Sequence, residues 1–136
     1  MAVSEEKYIV EIERDTETGI VRREVWSDEN LKVHRIGAPA LTERDEKGRV
    51  VCEAWRLHGS GHRDGGPAQS KINPQTGVVV EELWRVNGRP HRLDGPAEIT
   101  RNPQTGRGTF SRWYVNGERV PAPRKLRHPG LKAPGP

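Results

Sequence analysis

The sequence contains a single cysteine, Cys52, among 136 residues. No disulfide can therefore form within the chain, and no zinc site built from several cysteine thiolates is available. Cys52 lies in the apolar segment VVCEAW, where we expect a small strand residue in preference to a reactive thiol. Low cysteine usage favours a cytoplasmic protein.

Apolar residues are also scarce, and they never form a long run. Hydrophobic residues make up 32% of the chain and aromatic residues 5%. This is too little to fill a deep core, so we expect a thin or elongated body. No apolar segment reaches the roughly 18 residues of a transmembrane helix. The opening MAVSEEKYIV carries charges too early for a secretory signal peptide, so we expect a soluble protein that does not bind membranes.

The charge of the chain is divided between its two ends. Residues 1–100 contain 15 Lys and Arg against 18 Asp and Glu, a balance of −3, whereas residues 101–136 contain 8 against 1, a balance of +7. The segment PAPRKLRHPGLKAPGP at residues 121–136 is rich in proline and shows no alternation. We therefore expect a folded domain over residues 1–120 followed by a flexible, Pro-rich basic tail.

Four tryptophans recur at a fixed spacing of 29 residues, and a glycine precedes each of them by seven residues. A His-Arg pair and then a Pro-Ala pair follow each of the first three. Such recurrence indicates tandem structural units. We number the units one to four by their tryptophans, and the fourth, which lacks both pairs, is the terminal unit. The residues with a predicted structural role in the repeat are Trp26, Trp55, Trp84, Trp113, His34, His62, His91, Arg35, Arg63 and Arg92.

Each unit contains signals for strands and turns, and none for a helix. Runs such as GVVVEELW are rich in β-branched residues, which favour strands. NPQTG at residues 73–77 and 102–106 predicts a loop that ends in a glycine with positive φ. Asn87-Gly88 and Asn116-Gly117 predict two-residue hairpin turns. The predicted fold class is all-β, with tandem antiparallel β-hairpins of period 29 in an elongated twisted sheet that opens with a strand at residues 8–14.

The pattern W-x-x-N-G-x-x-H-R-x-D-G-P-A, complete at residues 84–97, resembles the short β-hairpin repeats related to MORN repeats, which occur in bacterial, bacteriophage and large-virus proteins. The resemblance covers residues 19–119. Unit two has His58 in the Asn position and Gly65 in the Asp position, and unit one lacks both the Asn-Gly and the Asp. The resemblance implies a hairpin array with a binding role and no transferable enzymatic activity.

The recurring residues have a structural and a functional interpretation. The three histidines would stand about 9–10 Å apart if each unit adds two strands, too far to share one zinc ion with bonds of about 2.0–2.1 Å. We therefore expect each His or Arg to bond a turn backbone or to stack on a tryptophan. The tryptophans are predicted to form a packing spine between units in preference to an exposed stacking platform. Glu24, Glu53 and Glu82 are predicted to lie beside them and to pair with the repeat arginines.

No enzymatic activity, metal or cofactor is expected, because an active site is a unique cluster in a pocket and these residues repeat. The leading hypothesis is a non-enzymatic protein-binding module, since repeat arrays present extended surfaces. Small size and the resemblance suggest a phage or mobile-element inhibitor of a host defence enzyme, such as an anti-CRISPR. The candidate partner-binding residues at the turn tips are Arg56, Arg85, Arg89 and Tyr114.

The alternative hypothesis is a nucleic-acid-binding accessory protein that uses its basic C-terminal end for phosphate contacts. A tail that only keeps the protein soluble is the other interpretation of the same charges. Unprotected sheet edges would also allow a homodimer. The candidate nucleic-acid-binding residues are Arg107, Arg112, Arg119, Arg124, Lys125 and Arg127.

Overall fold

The computed structural model describes residues 2–123, and these residues are all-β with no helix, as the sequence predicts. Nothing in this part of the chain therefore offers the long apolar helix that a membrane crossing would need. The strands are β1 Ile9–Arg14, β2 Val21–Ser27, β3 Leu41–Arg44, β4 Val50–Ala54, β5 Arg56–Leu57, β6 Ser60–Gly61, β7 Gln69–Ile72, β8 Val79–Leu83, β9 Arg85–Val86, β10 Arg89–Pro90, β11 Glu98–Arg101, β12 Gly108–Val115 and β13 Glu118–Val120.

Nine strands form one sheet, in the order β1-β2-β3-β4-β7-β8-β11-β12-β13. This order follows the chain, and all neighbouring strands are antiparallel, which confirms the predicted antiparallel sheet. The other four strands form two short hairpins, β5–β6 and β9–β10. The opening strand predicted at residues 8–14 is β1. No helix of residues 2–123 covers either face of this sheet.

The loops that join the long strands are organised by an Asp or Asn side chain. The carboxylate of Asp15 accepts hydrogen bonds from the backbone N–H groups of Glu17 and Thr18. Asn73 makes the same contacts in the NPQTG loop, to Gln75 and Thr76. The loops end in glycines with φ of 76° to 85°, a region that L side chains rarely adopt. The role predicted for NPQTG is confirmed.

The tight turns have the backbone conformation that their Asn-Gly sequences predict. Asn87 and Gly88 have φ of 52° and 78°, the double positive φ of a two-residue hairpin turn. His58 takes the same conformation at φ 46°, followed by Gly59 at 87°. Histidine is among the residues that tolerate this region, so unit two keeps the turn without the asparagine.

Tryptophan and alanine alternate in a row across the sheet. The backbone N–H of Trp26 donates to the carbonyl of Ala40, and the same bond joins Trp55 to Ala68 and Trp84 to Ala97. The neighbouring pairings set the register of this row, and residues directly opposite share one face of the sheet. Each alanine of the Pro-Ala pairs therefore lies between two tryptophan strands. The row reads Val10, Trp26, Ala40, Trp55, Ala68, Trp84, Ala97 and Trp113.

The deeply buried positions are small. The buried apolar residues are Val25 and four alanines, and Ala40 and Ala97 are 0% exposed. No large side chain in the described residues is fully buried. The four tryptophans are half-buried, so the buried part of the spine predicted for them consists of the three alanines of this row, Ala40, Ala68 and Ala97. Ala40 and Ala97 have no exposed surface left, so a bulkier side chain at these positions would have to displace its neighbours.

A second ladder of backbone hydrogen bonds joins the short hairpins. The N–H of Arg63 donates to the carbonyl of Arg85, and the N–H of Gly88 donates back to the carbonyl of Gly61. Equivalent bonds link Arg92 to Tyr114 and Gly117 to Pro90. Neighbouring hairpins are therefore held together outside the main sheet, which places their side chains in a second row beside it.

Candidate functional site

Three arginines stack on the tryptophans of their own units. The guanidinium carbons of Arg35, Arg63 and Arg92 lie 3.7, 4.1 and 3.7 Å from the ring centroids of Trp26, Trp55 and Trp84. Each guanidinium also donates to the carbonyl of the proline four residues later. Gly95 leaves room for this, because a Cβ there would lie 2.6 Å from the guanidinium carbon of Arg92. These cations are engaged by their own unit.

Three histidines bind the tight turn of the following unit. The Nδ1 atoms of His34, His62 and His91 accept hydrogen bonds of 2.9, 3.0 and 2.9 Å. The donors are the backbone N–H groups of His58, Asn87 and Asn116. An Nδ1 that accepts is unprotonated, so the neutral ring carries its proton on Nε2. Protonation of Nδ1 would break the link between two units.

The predicted pairing of repeat glutamates with repeat arginines forms only once. Arg35 lies 3.8 Å from Glu24, whereas Glu82 pairs with Arg101, and Glu53 makes no ion pair within residues 2–123. The prediction is wrong for unit three, because Arg101 takes Glu82 and Arg92 pairs with Asp94. It is also wrong for unit two, where Glu53 has no ion pair among the described residues. Glu24 and Glu82 instead accept hydrogen bonds from the indole N–H groups of Trp26 and Trp84.

The four residues proposed for partner binding lie on the short-hairpin row. Arg56 and Arg85 each donate to the carbonyl of the turn glycine three residues later. Arg89 is exposed, and its aliphatic carbons pack against Gly117. A Cβ at position 117 would lie 3.4 Å from the Cδ atom of Arg89. Tyr114 is half-buried and its carbonyl accepts from Arg92. Arg89 is therefore the most accessible of the four.

The C-terminal basic residues differ in how accessible they are. Arg107 and Arg119 are exposed. Arg112 lies 3.8 Å from Glu98 and packs over Phe110, and Arg101 is held by Glu82. Arg124, Lys125 and Arg127 lie outside the described residues, as does the rest of the predicted tail beyond residue 123.

A group of aromatic and charged side chains unlike those of the other units surrounds the turn of unit one. The rings of Tyr8, His34 and His58 form a stack, with centroids 5.9 and 3.9 Å apart. Tyr8 also meets the ring of Trp26 edge to face at 5.2 Å. His58 Nδ1 lies 2.7 Å from a carboxylate oxygen of Asp28. The N-terminal segment is thereby anchored on the first unit.

The electrostatics of this group follow from its packing. Burial lowers the pKa of His34, and the neighbouring His58 ring lowers it further. The hydrogen bond from His58 holds the pKa of Asp28 below its usual range, with help from two backbone N–H groups. Asp28 is therefore an anion that accepts the hydrogen bond from Nδ1–H of His58. His34, with its proton on Nε2, is held as the neutral ring.

These side chains line an open cavity of about 470 Å³. Its wall combines the three stacked rings with Ile36 and with the carboxylates of Glu5, Glu6, Asp28 and Glu29. Exposed apolar side chains concentrate in the same part of the chain. Of the eight large ones in the described residues, six lie in the first 36 residues: Val3, Ile9, Val10, Ile12, Leu31 and Ile36. This end of the molecule is both apolar and acidic.

The cavity offers limited chemistry. Asp28 orients His58, and such a pair can serve as a general base. Among the described residues, the wall contains no Ser, Thr or Cys that this base could activate as a nucleophile. In residues 2–123 no cluster of three or more His, Cys, Asp or Glu is placed to hold a metal. The arrangement is better suited to contact with an apolar and cationic surface.

The repeat pattern of the sequence does not indicate this site. Its members Tyr8, Asp28 and Ile36 lie outside the repeat pattern, and His58 appeared only as a substitute for asparagine in the turn. The available signal was the departure of unit one from the pattern, since DENLK replaces the Asn-Gly turn there. Asp28 organises that replacement by accepting from the N–H groups of Asn30 and Lys32.

Cys52 is a half-buried residue of β4. Burial raises the pKa of its thiol, with a further contribution from the carboxylate of Glu43. A raised pKa keeps the thiol protonated and therefore a poor nucleophile.

Comparison of the chain with protein-family models, curated protein sequences and solved structures gives no significant match. The likeness to MORN-related repeats therefore stays a prediction from the sequence motif.

Proposed function

We propose that the protein is a tandem array of 29-residue β-hairpin units that binds another protein and has no enzymatic activity. The observation that carries this proposal is the acidic cavity of unit one, lined by Ile36, together with the concentration of exposed apolar side chains in the first 36 residues. Large exposed apolar patches rimmed by polar residues are typical of protein-binding sites. The recurring Trp, Arg and His side chains support the assignment because they are occupied with contacts inside the array.

The charge of the site indicates the kind of partner. Among the described residues of the cavity wall, four carboxylates face a single lysine, Lys7; they are Glu5, Glu6, Asp28 and Glu29. A partner surface with Lys and Arg side chains complements this wall and would be steered towards it. Enzymes that act on nucleic acids carry such surfaces. This supports the more specific proposal of a phage or mobile-element inhibitor of a host defence enzyme, such as an anti-CRISPR.

Two matched substitutions test the site. Ile36 and Leu93 occupy the same position after the His-Arg pair in units one and three, and they are 54% and 76% exposed. Unit two has Asp64 at this position, so the turn accepts aspartate. Ile36→Asp should abolish partner binding through the unit-one cavity, whereas Leu93→Asp should leave it intact.

The assay is affinity capture from the native host with the wild type and both variants, followed by rebinding of the purified partner. A partner that is lost only with Ile36→Asp supports the proposal. Equal capture by all three proteins would refute the assigned surface. Absence of any stoichiometric protein partner with the wild type would refute the protein-binding function.

A second candidate function is nucleic-acid binding, favoured by the exposed Arg107 and Arg119 at the C-terminal end. The full chain would bind oligonucleotides with an affinity that falls as salt rises, and each phosphate contact removed should lower the slope of that dependence by about 0.9. The combined Arg107→Glu and Arg119→Glu variant, measured by fluorescence anisotropy, should therefore show a shallower slope. Absence of oligonucleotide binding by the wild type at low salt would eliminate this function.

A further inference from the structure

β1 forms one edge of the main sheet, and its outer side has no neighbouring strand within residues 2–123. β1 pairs only with β2, and all six of its residues are exposed. Three of these residues are large and apolar: Ile9, Val10 and Ile12 are 41%, 39% and 51% exposed. β1 contains no proline that would block the approach of another strand. An edge of this kind presents unpaired backbone N–H and C=O groups that can accept one.

The hydrogen bonds of β2 determine which residues of β1 direct their backbone groups outwards. The N–H of Trp26 donates to the carbonyl of Ala40, and the carbonyl of Trp26 accepts from the N–H of His34, so both groups of Trp26 point away from β1. Val10 lies opposite Trp26 and therefore makes no backbone hydrogen bond to β2. Its N–H and C=O point outwards, as do those of Ile12, because the direction alternates along an antiparallel strand.

The segment before β1 can extend this edge. Residues 4–8 belong to no strand, and within residues 2–123 their backbone makes no hydrogen bond to other backbone groups. None of them has a positive φ. Residues 4–7 are also exposed. A strand added to the outer side of β1 could therefore pair with this segment as well.

A second copy of β1 fits this edge in one register. Two copies paired antiparallel about a two-fold axis must place outward-directed residues opposite each other, so the axis passes through the same residue of both copies. An axis at Ile9 would bring Glu5 opposite Glu13, an axis at Glu11 would bring the two Glu11 side chains together, and an axis at Ile12 would bring Glu11 opposite Glu13. Like charges directly opposite each other are destabilising.

An axis at Val10 places no residue of β1 opposite a like charge. Each basic residue of this segment then lies opposite a glutamate of the other copy, and opposite charges directly across an antiparallel pair are stabilising. The pairs in this register are Val10 with Val10, Ile9 with Glu11, Tyr8 with Ile12, Lys7 with Glu13 and Glu6 with Arg14.

The apolar side chains of the same register continue the Trp-Ala row. Val10 stands in the alanine position beside Trp26, so the row would cross the junction as Trp26, Val10, Val10 and Trp26. Ile12 lies on the same face of β1, because alternate residues share a face. It would lie opposite Tyr8 of the other copy, and pairs of an aromatic and a β-branched side chain stabilise antiparallel strands. The exposed apolar residues of this face would thereby be covered.

From these observations we propose that the protein forms a two-fold symmetric dimer through β1, with Val10 of the two copies opposite each other. The two nine-stranded sheets join into one continuous sheet. The contact uses the same edge of both copies, so assembly stops at the dimer. Residues 6–8 belong both to this edge and to the wall of the unit-one cavity, whereas Ile36 belongs to the wall alone. The two cavities would therefore lie at opposite ends of the paired strands.

Sedimentation velocity at increasing protein concentration measures this association. The weight-average mass of the wild type should rise with concentration and level off at that of a dimer. Lys7→Glu and Glu13→Lys each place like charges opposite each other twice, so the Kd of the dimer should rise about tenfold or more. The variant that carries both substitutions should dimerise as the wild type does, because opposite charges then meet again. Glu46→Lys, an equal charge change in an exposed loop, should leave the Kd unchanged.

Disulfide cross-linking tests the register. Residues opposite each other in a hydrogen-bonded antiparallel pair have Cα atoms about 5.5 Å apart, which is within the range of a disulfide. Val10→Cys should therefore give a covalent dimer on a non-reducing gel after mild oxidation. Ile12→Cys should not, because position 12 lies opposite Tyr8 of the other copy. Both variants keep the half-buried Cys52 of β4, so the wild type oxidised in parallel gives the background.

Circular dichroism of each variant establishes that it is folded. Lys7 lies outside the strands, so Lys7→Glu decides the question even if a substitution within β1 disturbs that strand. A wild type that stays monomeric at all concentrations would overturn the proposal, and so would a mass that keeps growing beyond the dimer. An unchanged Kd in Lys7→Glu, or equal cross-linking of Val10→Cys and Ile12→Cys, would also overturn it. Ile36→Asp should dimerise as the wild type does while it loses the partner, so dimerisation and partner binding can fail separately.

Discussion

Replacement of His34 and of His91 by alanine should have unequal effects on stability. Both side chains accept one hydrogen bond of 2.9 Å from the turn of the next unit. His34 is 6% exposed and stacks between Tyr8 and His58, whereas His91 is half-buried without a stacked ring in the described residues. The pair therefore separates the contribution of the hydrogen bond from that of the stack.

The magnitudes follow from these contacts. A hydrogen bond contributes a net stability of about 0.5–1.5 kcal/mol, and both variants lose one. Each aromatic pair adds about 0.5–1.5 kcal/mol, and only His34→Ala loses two. The free energy of unfolding should fall by about 1 kcal/mol in His91→Ala and by about 2–4 kcal/mol in His34→Ala.

Urea unfolding followed by tryptophan fluorescence measures both losses. Units in an array contact mainly their neighbours and can unfold separately, so hydrogen exchange should be measured at the two donors, the backbone N–H groups of His58 and Asn116. Exchange should accelerate at His58 in the first variant and at Asn116 in the second. Equal losses of stability, or unchanged exchange at both donors, would refute the assigned contacts.

Three further perturbations test the packing and the electrostatics. The pKa of His34 is lowered in the folded state, so the unfolded state binds more protons. The contribution of His34 to the stability of the fold is therefore complete above about pH 6.5 and is lost as the pH falls below it. Urea midpoints should accordingly decline less on acidification in His34→Gln than in the wild type. Trp84→Ala should destabilise the fold by about 2–3 kcal/mol, which is less than the loss expected for a fully buried ring. Trp113→Ala should destabilise it by less still, because Trp113 has an alanine neighbour on one side only. Equal urea midpoints for the two variants would contradict the Trp-Ala row. Ala97→Leu should destabilise by about 1–3 kcal/mol through overpacking, whereas Ala122→Leu at an exposed site should leave the thermal midpoint nearly unchanged.

The turns and strands of this fold were predictable because their determinants are local. Positive φ at the loop glycines and at Asn87-Gly88 is a property of those residues alone. The β-branched runs between them favour strands without reference to distant residues. The β-bulge before each loop, as between Lys71 and Ile72, was not predicted, since a shift of register depends on both strands of a pair.

The pairing of polar side chains was less predictable because several partners compete for each group. Arg92 could satisfy a carboxylate, a ring or a carbonyl, and the sequence does not rank these choices. In the fold it takes the ring of Trp84, the carbonyl of Pro96 and the carboxylate of Asp94. The unit-one cavity depends on contacts over long sequence distances, such as Tyr8 with the N–H of Ile36. Residues that break a repeat are the sequence signal for such a site, and here they are DENLK and His58.

The alternation of large and small side chains across the strands also bears on how the length of the chain can change. A duplicated stretch from one tryptophan to the next would carry its own alanine, histidine and turn, and its new neighbours would offer the complementary groups. Recombination within the gene could therefore add or remove an internal unit, and the side chains at the new contact between units would still be complementary. The first and last units could not be exchanged in this way, because Val10 stands before the first unit where an internal unit has an alanine, and the last unit lacks the Pro-Ala pair after Trp113.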